Sequence, residues 1–183
     1  MPVRRRGLLM RPIVKTAVVL AGYGAALAGG VAATYLYDRM LPRDVSDGMA
    51  AFASVQFGLL ALGFLALVPT GLALWWLRPV KPFWRAMKAL CLAGAATGPA
   101  ALALFLITRQ MEPGRNPLFF ASYFSLERIF ATPVFCAGFL LIALFTPAAF
   151  GRKLLFAAAA LEAAVGAIAF LTLLSGTGLW HPY

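Results

Sequence analysis

The chain has 183 residues, of which 62% are hydrophobic and only 12% charged, with a formal net charge of +10. A soluble domain of this length could not hide so much apolar surface, so lipid is its natural solvent. That leaves no room for a separate soluble basic module, and the positive charge is therefore not read as a nucleic-acid footprint.

Five hydrophobic stretches, at about 16–37, 50–77, 89–108, 130–149 and 154–175, are each close to the roughly 20 residues a helix needs to cross a ~30 Å hydrocarbon core. The expectation is an all-α polytopic transmembrane bundle of five helices forming a single domain, 1–183. The segments between them divide by charge. Arg4, Arg5, Arg6, Arg11, Lys15, Arg78, Lys81, Arg85, Lys88, Arg152 and Lys153 fall on one side with no acidic residue. Arg39, Arg43, Arg109, Arg115 and Arg128 fall on the other, against Asp38, Asp44, Asp47, Glu112 and Glu127. Eleven basic residues against five place the N-terminus in the cytoplasm and, after five crossings, the C-terminus with His181 outside.

The first stretch follows a charged start that superficially resembles a twin-arginine signal. Its apolar core of about 22 residues exceeds the ~7–15 of a signal h-region, so a retained anchor is expected. Gly22, Ala26 and Gly30 recur every four residues, as do Ala21, Ala25, Gly29 and Ala33, which lets another helix approach closely. Both a dimer seam and packing within the chain fit this pattern. Three acids in the following loop are interleaved with Arg39 and Arg43 and lack an EF-hand pattern, so no metal site is expected there. Asp47 is a suitable N-cap for the second helix.

The second stretch is long and contains Pro69, which removes the bond to the Leu65 carbonyl and predicts a kink. Trp75 and Trp76 mark an interface, and RPVKPFWRAMK follows as a cytoplasmic loop. Its Arg78, Lys81, Trp84, Arg85 and Lys88 form a candidate anionic-lipid interface, with apolar stems inward and charges toward phosphates. Thr97-Gly98-Pro99 predicts a second kink in the third stretch. Asn116 and Pro117 read as a helix start. The aromatic-rich segment 117–130, with Ser122, Ser125 and Arg128 every three residues, reads either as an outer-leaflet interfacial helix running toward a bend at Pro133 or as the extended start of the fourth span. Cys91 and Cys136 enter from opposite leaflets and are expected to be small buried apolar residues.

Catalytic signatures are missing. One histidine cannot build a multi-histidine metal site, and no HExxH, GxSxG, phosphate loop, dinucleotide fingerprint or CxxC occurs. No catalytic residue, metal or cofactor is assigned. The outlier is Glu162, about 12 Å inside the last span. An acid that deep is costly and should face protein. Tyr23, Thr70 and Thr97 lie at similar depth and are its expected partners, completing a candidate intramembrane polar site.

DGMAAF, Asp47 to Phe52, followed by VPTGLALWWLRPVKPFW, Val68 to Trp84, resembles a set of uncharacterised bacterial multi-pass membrane proteins. The resemblance implies a bacterial inner membrane and carries no activity. The leading functional expectation is a non-enzymatic accessory or assembly component, with membrane lipids and other membrane subunits as partners. A small transporter or ligand- or lipid-binding protein centred on Glu162 is the alternative, and a membrane enzyme acting on lipid is third.

Overall fold

The computed structural model describes residues 12–40, 47–108, 118–147 and 151–174. They form six helices and no strand: α1 Pro12–Met40, α2 Asp47–Leu77, α3 Lys81–Thr108, α4 Phe119–Phe130, α5 Thr132–Phe145 and α6 Arg152–Leu174. Helix is what lipid demands, because every backbone donor and acceptor must be satisfied within its own segment. Four helices, α1, α2, α3 and α6, are individually long and apolar enough to cross a membrane. The shorter α4 and α5 qualify only together, as a pair bent by 53°.

The expected fourth span at 130–149 is therefore not a single helix. At 1.5 Å per residue the 14 residues of α5 reach about 21 Å, short of the hydrocarbon thickness. Pro133 sits in the first turn of α5, where its missing N–H costs nothing, whereas an unbroken helix would leave the Ile129 carbonyl without its partner. A new helix therefore starts at Thr132, and α4 covers most of the aromatic-rich 117–130. The expected Asn116–Pro117 helix start lies outside the described residues.

The expected basic loop after α2 is also shorter than the sequence suggested. Lys81 already opens α3, with Pro82 in its first turn, so 78–80 alone join the two helices. Trp84 explains the tightness. It is only 1% exposed, and its indole N–H donates to the Arg78 carbonyl at 3.1 Å.

Around the bundle, α1 packs on α2, α2 on α5, α5 on α6, and α3 on α4 and α6. The α1 stripe is used inside the chain. A Cβ at Gly22 would meet Pro69, and one at Gly30 would lie 2.9 Å from the Leu62 Cβ and 3.1 Å from the Gly58 carbonyl. Small residues thus bring α1 and α2 to backbone contact, the closest approach that dispersion in lipid can exploit. On α6, Leu155, Ala158, Ala159, Glu162, Val165 and Ala169 are buried at helical spacing, and the three alanines are small for the same reason.

Both cysteines are free and belong to one apolar cluster with Ala95, Phe139 and Ala143. Cys91 is buried, as expected, whereas Cys136 is half-buried. Cys136 lies one turn beyond the α4–α5 bend rather than at an outer helix end, and its thiol donates to the Ala159 carbonyl at 3.5 Å.

Candidate functional site

Glu162 has no exposed surface, and Ala158, Ala159 and Val165 bury the α6 face on which it stands. Its position opposite α3 depends on Gly98, where a Cβ would come within 2.8 Å of the Glu162 Oε1. Any side chain at this position would force the carboxylate to shift.

The partner it meets is Arg128, from the last turn of α4. Arg128 Nη2 and Glu162 Oε1 form an ion pair of 2.5 Å, the single ion pair among the described residues. The guanidinium also donates through Nε to the Thr97 hydroxyl at 2.8 Å and through Nη2 to the Gly94 carbonyl at 3.4 Å. Thr97 in turn donates to the Gly94 carbonyl at 2.6 Å. Below the guanidinium lies the Phe135 ring, its centroid 3.8 Å from Cζ. A stacked cation of this kind gains ~2 kcal/mol when desolvated. One arginine thereby gathers α3, α5 and α6 around the end of α4.

The pair is not saturated. Arg128 Nη1 and Glu162 Oε2 are buried with no hydrogen-bond partner. The Arg128 side chain keeps 13% exposure.

The expected partners of Glu162 separate into two groups. Thr97 joins the site, but through Arg128 rather than by bonding to the carboxylate. Tyr23 and Thr70 hydrogen-bond to each other at 2.8 Å across α1 and α2, and Thr70 also donates to the Ala66 carbonyl at 2.6 Å. Matching depth brought Tyr23 and Thr70 together, but on a different helix pair from Glu162.

Arg128 is the residue that sequence reasoning misplaced, with the outer loop charges. Two signals pointed to it. An acid inside a span calls for a countercharge, and Arg128 stands directly before the apolar Ile129 and Phe130. The stripe it shares with Ser122 and Ser125 turns inward at Ser125, which is 3% exposed. Its neighbour Glu127 accepts a hydrogen bond from the Gln56 amide of α2.

Of the candidate lipid interface, Arg78, Lys81 and Arg85 are exposed, while Trp84 is enclosed by the α2–α3 turn. Lys88 is half-buried and reaches toward Gly151, whose positive φ of 84° permits the tight turn before α6. Among the described residues no group of three His, Cys, Asp or Glu side chains could hold a metal ion. Comparison with protein-family models, curated proteins and solved structures returned no match to this chain.

Proposed function

We propose that this chain is an integral protein of a bacterial cytoplasmic membrane, with five crossings, its N-terminus inside and its C-terminus outside, acting as a non-enzymatic accessory or assembly component. The observation that carries this reading is the internal use of the intramembrane charge. Arg128 is engaged by Glu162, Thr97, Gly94 and Phe135, all of this chain. A cation clamped by three neighbouring elements works as a lock on the bundle. A translocation site, by contrast, must exchange its partners during each cycle. Purification in native lipid followed by intact-complex mass measurement tests the reading. A stoichiometric second membrane protein is expected, and a chain always recovered alone with reproducible turnover of a substrate would overturn it.

A second reading, a small ligand-binding or transport protein centred on Glu162, is favoured by one observation. Glu162 Oε2 and Arg128 Nη1 are both buried and unpartnered, leaving one acceptor and one donor for a small polar guest. Flux into proteoliposomes that disappears in Glu162→Ala and Arg128→Ala, with folding intact, would support this reading over the first.

A further inference from the structure

Two apolar grooves flank the half of α2 that follows Pro69. One, of about 350 Å³, lies between α1 and α2 and is lined by Thr16, Val19, Leu20 and Leu77, with Lys15 and Trp76. The other, of about 650 Å³, lies between α2 and α5 and is lined by Val68, Gly71, Leu72, Leu141 and Phe145, with Trp75. Gly71 on one flank and Ala73 on the other keep the walls shallow.

Each groove has a tryptophan near the α2 C-terminus, and each tryptophan carries a cation. The Lys15 ammonium sits 5.7 Å from the Trp76 ring centroid, and the Arg78 guanidinium 5.8 Å from that of Trp75. Neither cation has an ion-pair partner among the described residues, in contrast to Arg128. Lys15, Arg78, Lys81, Arg85, Lys88, Arg152 and Lys153 share this end of the bundle, and no described acid does. An acyl-chain-sized apolar trough topped by an indole and an unpaired cation complements an anionic glycerophospholipid. The chain fills the trough, the indole sits at the glycerol level, and the cation meets the phosphate.

We propose that the two grooves are specific sites for anionic phospholipid, one held by Lys15 and Trp76 and the other by Arg78 and Trp75. The proposal depends on the chain lying in a membrane and not on its accessory role, so either can fail alone.

The test uses the full-length protein reconstituted in an equimolar mixture of phosphatidylglycerol and phosphatidylethanolamine, with retained lipids counted by native mass spectrometry. Wild type should retain two phosphatidylglycerol molecules in preference to phosphatidylethanolamine. K15Q and R78Q should each lower the preference at one site about fivefold, the ratio equivalent to the ~1 kcal/mol that a basic residue contributes near an anionic surface. R152Q/K153Q removes two exposed charges from the same end without touching a groove and should leave the preference intact. As an independent readout, phosphatidylglycerol with brominated chains should quench tryptophan fluorescence in wild type, and W75F/W76F should lose most of that quenching. Absence of any preference in wild type, or an equal drop in R152Q/K153Q, would overturn specific sites in favour of diffuse attraction.

Discussion

Glu127 and Arg128 are consecutive residues of α4, yet they serve different parts of the bundle. Glu127 accepts from Gln56 of α2, while Arg128 reaches Glu162 of α6 and Thr97 and Gly94 of α3. Successive helical side chains are about 100° apart, so a 12-residue helix can address two partners with adjacent charges. The short α4 is thus the polar hub of an otherwise apolar assembly, and its bend from α5 carries the arginine into place.

Removing either partner of the ion pair should cost stability, but unequally. Breaking a buried pair by deleting one member costs about 3–5 kcal/mol, because the other charge is left uncompensated. After Glu162→Gln the stranded group is a guanidinium, which cannot discharge itself. After Arg128→Gln it is a carboxyl, which can take up a proton. Thermal unfolding in detergent should therefore rank wild type above Arg128→Gln and Arg128→Gln above Glu162→Gln. The double variant Arg128→Met with Glu162→Met should recover most of the loss. Additive effects when Arg128→Gln and Glu162→Gln are combined would show that the two residues do not work as a pair.

How much of this arrangement could be read from the sequence depends on which residues are compared. The apolar stretches announced their helices, because lipid leaves few alternatives for a backbone. Glu162 announced itself as a charge inside a span, and helical rise placed Thr97 at the right depth. Depth alone says nothing about which way a side chain points, so Tyr23 and Thr70 were grouped with a carboxylate that they do not touch. Arg128 was hidden because counting charges by loop treats every arginine near a span end as a surface residue. The long arginine stem and the 53° bend at its helix end put it in the interior; Pro133 marks the bend in the sequence, but not which way it turns the arginine.

Gly98 should be intolerant of any side chain. A Cβ there would sit 2.8 Å from Glu162 Oε1 and 3.2 Å from its carboxyl carbon, with Arg128 closing the other side. Overpacking of this kind costs about 1–3 kcal/mol, so Gly98→Ala should lower the midpoint of thermal unfolding. Gly24 is the matched control, since nothing lies within 4 Å of its Cβ position. Gly24→Ala, in an exposed helix, should be neutral or slightly stabilising. Equal behaviour of the two variants would contradict the close approach of α3 and α6.

The Tyr23–Thr70 bond should prove to be a modest and separate fastener. Interhelical hydrogen bonds in membranes average ~0.6 kcal/mol by double-mutant cycles. Tyr23 is 40% exposed, and Thr70 also serves the Ala66 carbonyl, which limits what their pairing can add. Tyr23→Phe and Thr70→Val should therefore couple to each other by about that amount. Each should add independently to Arg128→Gln, because the two networks share no residue. Strong coupling between Tyr23 and Arg128 would mean that α1–α2 and the ion-pair cluster unfold as one polar network.

Topology is the last prediction, and α4–α5 decides it. The basic asymmetry of eleven against five counted Arg128 among the outer charges. Its side chain is instead consumed inside the bundle, which strengthens the bias toward a cytoplasmic N-terminus. The bent pair could cross the membrane or turn back within it, and one contact favours crossing. A Cβ on Gly151, just before α6, would lie 3.3 Å from the Lys88 ammonium, so α6 starts beside the first turns of α3. Turning back would strand Arg152 and Lys153 on the outer face, away from the other basic residues of that end. Reporter fusions after Lys81 should therefore behave as cytoplasmic and fusions at Tyr183 as external. A cytoplasmic Tyr183 fusion, with the Lys81 result unchanged, would mean that α4 and α5 form a re-entrant element and that the chain crosses four times.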